Sequence, residues 1–414
     1  MAYPGAARIA ADLVRMAACT ATPGEGITRL PFTPAARQTV DRLAAIMRSA
    51  GLAVREDAAG NLIGRLEGTN PGAPAILIGS HYDSVPHGGN FDGMAGILVG
   101  IEVARQLRAA GLRLSHPLEI IGTVDEEGVR FGRGYFGTDA MLGNLTLPWL
   151  QTRRDAQGVS IAEAMAGYGL DPTRIGEARR APGSIAAWLE VHVEQGRVLE
   201  SAGERLGLVE GIVGIRQLEV ELEGMADHAG ATPMDLRADA VEAACKIIAG
   251  IGDDARRAGG GTVATVGRIE TYPGANNVIA ERCRFTVDIR SLDQPAIEWV
   301  AAELERRAVS VCEALGTRYR LTVVSDHPQG WMDRGLQARL ADACARLGMG
   351  CRRMPSGAGH DALVMALAGL PTAMLFVPSR AGRSHAPVEW SDADDLAGAA
   401  AVLVALLTDG RWDG

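Results

Sequence analysis

The sequence predicts a two-domain α/β protein, and three observations support this. The chain has 414 residues, more than one ordinary hydrophobic core organises, so two domains are expected. Apolar runs alternate with helical patterns outside residues 211–326, which is typical of a mostly parallel sheet. Residues 211–326 instead follow the order strand, helix, two strands, helix, strand, which indicates a ferredoxin-like α+β sandwich. We therefore predict a discontinuous α/β domain, residues 1–210 and 327–414, that carries this smaller inserted domain.

In the first segment, the apolar runs at 75–79 and 118–124 have the length of buried parallel strands. Further strands are predicted at 53–56, 61–66 and 185–191, and helices at 33–50, 93–110 and 194–202. The polar stretch at 150–182, which contains several glycines and prolines, indicates short surface helices.

Within the insert, an alternating run at 211–224 predicts a strand, and residues 237–257 predict one long helix. The other elements expected there are strands at 262–269, 283–289 and 319–324 and a helix at 295–315. The α/β pattern then resumes with helices at 334–347, 360–368 and 392–408 and a strand at 372–377.

Composition narrows the possible functions. The net charge of -9, with no basic cluster interleaved with aromatics, argues against a nucleic-acid partner. No apolar run approaches the length of a membrane-spanning helix, and the N-terminus does not resemble a signal peptide. The six cysteines are scattered without a CxxC pair. We therefore expect free thiols in a soluble, cytoplasmic protein without a membrane partner.

Imidazoles and carboxylates are concentrated where the predicted strands of the larger domain end. In open α/β sheets this edge is where ligands bind. Two histidines and a carboxylate form a suitable ligand set for one zinc-like ion. The number of acids indicates two ions, with one carboxylate bridging them. The residues concerned are His81, Asp92, Glu126, Glu127, His192 and His385.

Adjacent glutamates are informative because neighbouring residues on a regular strand point to opposite faces. If Glu126 and Glu127 serve one site, the chain must kink there, and Gly128 permits this. One glutamate could then bind metal while the other acts as general base. The alternative is an acidic strand end that caps the next helix, so a dinuclear hydrolase is inferred from the whole set of residues.

Several motifs distributed along the chain resemble those of amidohydrolases that remove N-carbamoyl groups. This family includes L-carbamoylases, β-ureidopropionases and allantoate amidohydrolases, also called hydantoinase/carbamoylase family amidases, within the dinuclear-zinc exopeptidase and aminoacylase superfamily. The resemblance implies a hydrolase of C–N bonds other than peptide bonds, with the insert as lid and dimerisation domain of a homodimer. The motifs are GSHYDSVP (79–86), GGNFDG (88–93), DEEGVRF (125–131), HVEQG (192–196), GMADHAG (224–230), GAGHDA (357–362), FVPS (376–379) and SHAPVE (384–389).

The resemblance also implies which residues bind metal. His81 and His192 would bind one ion each, and Asp92 would bridge the two ions. Glu127 and His385 would complete the two ligand sets. Zinc is the expected metal, although the same nitrogen and oxygen donors accept manganese, cobalt or nickel.

The same resemblance implies the other roles at the site. Glu126 would be the general base, and Asp83 would orient the ring of His81. His228 would stabilise the oxyanion and contact the substrate. Arg290 suits a substrate carboxylate because its planar fork binds carboxylates through two hydrogen bonds. The residues expected to bind substrate are Gln195, His228, Asn277, Arg290, Gly357 and Ala358.

The implied substrate is an N-carbamoyl amino acid or a similar ureido acid, which would yield the amino acid, CO₂ and ammonia. The nearest alternative is allantoate, followed by an aminoacylase or dipeptidase reaction with the same metals. A metal-free binding or scaffold protein on this fold is a third alternative, which stoichiometric metal would exclude. Tyr82 replaces an aliphatic residue of the family pattern, and we expect it to form an aromatic wall beside the metals.

Overall fold

The computed structural model describes residues 3–412, and the chain divides into two compact units. The larger unit ends at Glu210 and resumes at Trp331, and the smaller is Gly211–Gly330. The α-helices are α1 (Ala6–Ala17), α2 (Pro34–Ser49), α3 (Met94–Ala109), α4 (Phe136–Leu142), α5 (Leu147–Thr152), α6 (Ile161–Tyr168), α7 (Val198–Ala202), α8 (Ala240–Ala249), α9 (Ile251–Ala258), α10 (Gln294–Leu315), α11 (Arg334–Arg346), α12 (Asp361–Leu367) and α13 (Ala393–Leu407). The strands are β1 (Ala53–Glu56), β2 (Leu62–Leu66), β3 (Ala75–His81), β4 (Leu118–Thr123), β5 (Ile185–Val193), β6 (Leu206–Ile212), β7 (Gly214–Glu223), β8 (Val263–Tyr272), β9 (Arg282–Ser291), β10 (Arg318–His327), β11 (Gly330–Trp331), β12 (Cys351–Ser356) and β13 (Thr372–Val377).

A nine-stranded sheet forms the centre of the larger unit. Its strand order is β1-β2-β4-β3-β5-β13-β6-β11, and β12 pairs with β6. The central strands β4, β3, β5 and β13 are parallel to their neighbours in that group. Outside it, β1, β2 and β6 pair in antiparallel fashion. The predicted α/β fold with a parallel central sheet is therefore confirmed, with antiparallel strands toward the edges.

Burial explains why the central strands read as continuous apolar runs. Every residue of β3, β4 and β13 is buried, as expected for parallel strands covered by helices on both faces. The helix α3 packs on β3, β4 and β5, and α13 packs on α3. In this arrangement His81, the last residue of β3, pairs in register with Thr123 at the end of β4. The polar residues that follow these strands therefore emerge at one edge of the sheet.

The smaller unit has a four-stranded antiparallel sheet of order β10-β7-β9-β8. One face packs against α8, α9 and α10 in a separate hydrophobic core. This unit extends to Gly330, four residues beyond the predicted boundary at 326, because β10 continues through His327. Among the described residues, no helix combines the length and apolarity needed to cross a membrane.

Two predicted helices differ from the structure for local reasons. The helix expected at 194–202 begins only at Val198, because Glu194 accepts hydrogen bonds from the backbone N–H of Val198 and Leu199. The helix expected at 237–257 divides at Gly250 into α8 and α9. There the Arg307 guanidinium occupies the space that a Cβ would fill, so a residue with poor helix propensity marks the break.

Gly96 of α3 provides a test of how closely this helix packs on the sheet. An added Cβ would lie 2.2 Å from the carbonyl oxygen of Val191 in β5. Gly96→Ala should therefore lower the free energy of unfolding by about 1–3 kcal/mol, since overpacking a dense core is destabilising. The measurement is the urea unfolding midpoint, assessed together with the slope.

The matched control is Gly167→Ala in α6, where an added Cβ meets nothing within 4 Å. Removing an exposed helix glycine should raise the free energy of unfolding by roughly 0.5–1 kcal/mol. Equal effects of the two substitutions would contradict the packing described for α3.

Candidate metal centre

Loops that follow four strands bring the predicted site residues together. His81 ends β3, His192 is the second-last residue of β5, and the two glutamates follow β4. Asp92 precedes α3, and His385 lies after β13. Several non-glycine residues of these loops have left-handed backbone conformations, among them Asp125 (φ 57°), Gln195 (φ 62°) and His385 (φ 52°). Such conformations are costly and concentrate at functional sites.

Asp92 is the centre of the arrangement, and its two oxygens face different partners. Oδ1 lies 3.0 Å from Nε2 of His192 and 3.3 Å from Nε2 of His81. Oδ2 lies 3.1 Å from Nε2 of His385. The same His385 nitrogen is 3.4 Å from a carboxylate oxygen of Glu127. One carboxylate thus joins two groups of side chains.

Each group offers three atoms with metal-ligand chemistry. His81, Asp92 and His192 form the first, and their ligand atoms lie within 4.8 Å of one another. Asp92, Glu127 and His385 form the second by the same measure. Both combine imidazole nitrogen with carboxylate oxygen, a set that suits borderline divalent metals. We call them the His81 group and the His385 group.

The kink between Glu126 and Glu127 has a visible cause. Asp83 accepts hydrogen bonds from both backbone N–H groups, with its Oδ1 3.1 Å from Glu126 N and its Oδ2 3.2 Å from Glu127 N. The following Gly128 has φ 65°. The chain therefore turns sharply, and both acids face the same site. Glu126 Oε2 lies 3.9 Å from Nε2 of His81.

This use of Asp83 differs from the expectation that its carboxylate orients His81. The Nδ1 atom of His81 instead lies 3.1 Å from the backbone carbonyl of Asp83, while the carboxylate is 3.7 Å away. A backbone acceptor at Nδ1 leaves Nε2 free to face Asp92. Asp83 thus supports His81 through its carbonyl group and the two glutamates through its carboxylate.

Electrostatics explains why this cluster fits a divalent cation. Burial and the nearby Asp92 carboxylate raise the pKa of Glu127 to about 7. Burial likewise raises the pKa of Glu126 well above its usual value. Despite its burial, hydrogen bonds from the three histidines hold the pKa of Asp92 well below its usual range. The hydrogen bond to Asp92 raises the pKa of His385 to about 9.

These pKa shifts mean that bound protons compensate the negative charge of the buried carboxylates in the cluster. A bound metal ion can replace such protons, because metal ligands must be deprotonated. A carboxylate oxygen of Glu127, Oε1, is buried without a hydrogen-bond partner, as is the amide oxygen of Gln195. Buried polar atoms are rarely left without a partner. The donor set and these two oxygens therefore fit divalent cations.

A third group of metal-ligand type shares His192 with the His81 group and consists of Glu190, His192 and His360. Glu190 already accepts hydrogen bonds from the Trp188 ring N–H (3.2 Å) and the Ala362 backbone N–H (2.9 Å). The ring of His360 is 4.4 Å from that of His192, centroid to centroid. The His360 ring therefore packs on the His192 ring, and the Glu190 carboxylate already has hydrogen-bond partners.

The residues predicted to bind substrate fall in both units. In the larger unit, Gln195 donates a hydrogen bond from Nε2 to Oδ2 of Asp92 at 2.9 Å. Gly357 and Ala358 follow β12, where the backbone N–H of Ala358 donates to Ser356 Oγ. His228, Asn277 and Arg290 all lie in the smaller unit.

Within the smaller unit, His228 and Asn277 lie on neighbouring loops. An antiparallel bridge joins His228 and Val278, and Ala229 N donates to the carbonyl of Asn277 at 3.0 Å. The Nδ1 atom of His228 accepts hydrogen bonds from Gly230 N and Ala231 N, each at 3.1 Å. A neutral His228 ring must therefore carry its proton on Nε2.

The expectation about Tyr82 is wrong, and two contacts within the site were not predicted. Tyr82 is fully buried in the hydrophobic core and donates its hydroxyl to the carbonyl of Gly60 at 3.0 Å, because neighbouring strand residues point to opposite faces. Ser384 and Glu389 both contact Asp92 without a predicted role. The sequence could have singled out Glu389 because it is the one acidic residue between Pro378 and Ser391.

Comparison with known proteins identifies one family and several similar proteins. Residues 77–409 match the family described as peptidase family M20/M25/M40. An N-carbamoyl-L-amino acid amidohydrolase of Geobacillus stearothermophilus is 45% identical over 381 residues, 92% of each chain. An allantoate amidohydrolase of Escherichia coli (strain K12) is 35% identical over 395 residues, 95% of each chain. A hydantoinase/carbamoylase family amidase from Burkholderia multivorans has a TM-score of 0.90 and 32% identity, with 99% of this chain and 98% of that chain covered.

The fit to cations can be tested without any substrate. Adding Zn²⁺ or Mn²⁺ to chelator-treated protein should raise its Tm, because a ligand that binds only the folded state stabilises it by about 2.7 kcal/mol at 100 times its Kd. Asp92→Ala should abolish this gain, since Asp92 belongs to both groups. Differential scanning calorimetry is the measurement.

The control is Asp41→Ala, whose side chain is 69% exposed. It should keep the full metal-dependent gain in Tm. A metal-dependent gain that survives in Asp92→Ala would place the ions elsewhere.

Proposed function

We propose, because the chain belongs to the peptidase family M20/M25/M40, that it is a metal-dependent amidohydrolase of N-carbamoyl amino acids. The reaction would hydrolyse the linear C–N bond of the ureido group and yield the amino acid, CO₂ and ammonia. The observation that carries this proposal is the sharing of Asp92 between two groups of metal-ligand type. Two divalent ions held by such groups would suit hydrolysis of an unactivated amide carbonyl.

The two groups would hold one divalent ion each, with Asp92 between them. His81 and His192 would complete one ligand set, and Glu127 and His385 the other. Zinc is the proposed metal, and manganese, cobalt or nickel would fit the same donors. When bound, such ions polarise a carbonyl oxygen and lower the pKa of bound water.

Glu126 is proposed as the general base. It faces the same site as Glu127 because of the kink held by Asp83, yet it belongs to neither the His81 group nor the His385 group. A buried carboxylate beside a ligand set, but outside it, can take a proton from water and return it to the leaving nitrogen.

The smaller unit is proposed to supply further contacts to the substrate. His228 is suited to stabilising an oxyanion, since backbone donors at Nδ1 leave a neutral ring with Nε2–H as its donor. Asn277 stands on the neighbouring loop. Arg290 donates to Asp288 from Nε at 2.7 Å, and it would exchange this partner for a substrate carboxylate. This unit would then act as the lid.

We also propose substrate contacts in the larger unit and a homodimeric assembly. Gln195, with an unpartnered amide oxygen beside Asp92, would hydrogen-bond the substrate next to the ions. The backbone at Gly357 and Ala358 would line the substrate pocket. The edge strands β8 and β10 of the smaller unit are largely exposed and could pair with a second copy in a homodimer. Six free cysteines suit a cytoplasmic protein.

Allantoate is the second candidate substrate, favoured by the 35% identity with an allantoate amidohydrolase over nearly the full chain. It carries ureido groups beside a carboxylate, so the same site chemistry would act on it. An aminoacylase or dipeptidase reaction is a weaker alternative that uses the same metal ligands.

A substrate panel tests the reaction class. Ammonia release should be measured with N-carbamoyl-L-amino acids, N-carbamoyl-β-alanine and allantoate, with N-acetyl amino acids assayed for release of the amino acid. We expect metal-dependent ammonia release from at least one N-carbamoyl-L-amino acid. Turnover of allantoate alone would select the second candidate, and turnover of N-acetyl amino acids alone would contradict the ureido assignment.

Glu126→Gln tests the general base. The substitution keeps side-chain size but removes the proton acceptor, so kcat should fall by about 10²–10⁴-fold. Metal content, measured by inductively coupled plasma mass spectrometry, should stay at the wild-type value because Glu126 is not a ligand.

Glu67→Gln, which removes an exposed carboxylate paired with Arg65, is the matched charge control and should leave both quantities unchanged. Wild-type kcat in Glu126→Gln would remove Glu126 from this role.

A further inference from the structure

Glu389 is a buried carboxylate that the chemistry above does not use. Its side chain is only 4% exposed. One oxygen, Oε2, accepts hydrogen bonds from the backbone N–H of Phe91 at 2.9 Å and of Asp92 at 3.0 Å. Glu389 therefore fixes the main chain at the residue that both metal-ligand groups share.

The other oxygen of Glu389 connects to the Asp92 side chain. Ser384 Oγ lies 2.8 Å from Glu389 Oε1 and 3.0 Å from Asp92 Oδ2. The hydroxyl has one proton and stands between two carboxylates. Ser384 directly precedes His385 in the chain, so this link also holds the loop that carries the histidine of the second group.

The link between Glu389 and Ser384 contacts only one of the two carboxylate oxygens of Asp92. His81 and His192 face Oδ1. Ser384 and His385 face Oδ2. The Glu389–Ser384 link therefore acts on the side of Asp92 that belongs to the His385 group.

Close packing keeps Glu389 in place. A Cβ added at Gly89 would lie 2.0 Å from Glu389 Oε2 and 2.3 Å from its Cβ, so only glycine lets the 88–93 loop approach this carboxylate. The ring of Phe91 also packs on Trp390, with centroids 5.4 Å apart. Both contacts join the loop of Asp92 to the segment that follows His385.

We propose that Glu389 is a positioning residue that sets Asp92 and His385 relative to each other, and that it controls affinity for the ion of the His385 group more than for the ion of the His81 group. This inference rests on the proposed function only in taking both groups to bind divalent ions. Residues that orient metal ligands typically affect metal affinity by 10–100-fold.

The test is titration of chelator-treated protein with Zn²⁺ alone, in competition with a chromophoric chelator. Wild-type protein should bind two equivalents. In Glu389→Ala, the Kd of one equivalent should rise by about 10–100-fold, while the other should change by less than about threefold. Glu389→Gln should restore most of the lost affinity, because an amide oxygen can still accept from both backbone N–H groups and the amide N–H₂ can donate to Ser384.

Asp57→Ala is a matched control. Asp57 is another buried carboxylate that accepts two backbone hydrogen bonds, from Ala59 and Asn61 at 2.9 Å each, and a third from the Asn61 side chain. It contacts neither metal-ligand group. The variant should lose stability and keep both zinc affinities.

Four results would overturn the proposal: wild-type affinities in Glu389→Ala, equal weakening of both equivalents, the same selective loss in Asp57→Ala, or a wild type that binds one equivalent. If Glu389→Ala does not fold, Ser384→Ala removes only the link from Oε1 and should still weaken one equivalent selectively; unchanged binding would overturn the proposal. Because no substrate is used, a protein with this zinc behaviour and no activity on ureido compounds would contradict the proposed function alone.

Discussion

The carboxylate of Asp92 stands in contact with three imidazoles that arrive from three different parts of the chain. His81 comes from the end of β3, His192 from β5 and His385 from the loop after β13. Parallel strands end at one edge of the sheet, so the fold brings these residues together without long side chains. The tight contacts of α3 with the sheet then fix Asp92, which lies just before that helix. The remaining site residues lie around these contacts between Asp92 and the three histidines.

Burying so many ionisable groups is costly unless their charges are compensated. Protons offset part of this cost, because burial and the Asp92 carboxylate raise the pKa of Glu127 and the hydrogen bond to Asp92 raises the pKa of His385. Its hydrogen-bond network, from Asp83 to the glutamate backbones and from Glu389 to the Asp92 backbone, holds the acids in place despite their mutual repulsion. Such pre-arranged donors favour cations, since the protein need not reorganise when an ion binds.

Sequence reasoning found the parts of this arrangement that are local in the chain. Each ligand lies at or after the end of an apolar strand, or just before a helix, and strand ends can be predicted from apolar runs. Contacts between distant segments could not be read in this way. Glu389 is 297 positions from Asp92, and nothing near it in the chain shows which backbone it holds. Strand β6 is not predicted because residues 206–215, which are apolar or glycine except for Glu210, give no signal at the boundary with β7. The position of Tyr82 is not predicted correctly because its chain neighbours His81 and Asp83 belong to the site, whereas the Tyr82 side chain points into the hydrophobic core.

The central claim, that Asp92 joins two divalent ions, is tested most directly by anomalous X-ray diffraction from crystals of the zinc-loaded protein at the zinc absorption edge. Two anomalous peaks should appear on either side of the Asp92 carboxylate, one beside His81 and His192 and the other beside Glu127 and His385. Two metal ions that share a site in this way typically lie about 3.5–4 Å apart. A single peak, or peaks away from Asp92, would contradict the claim.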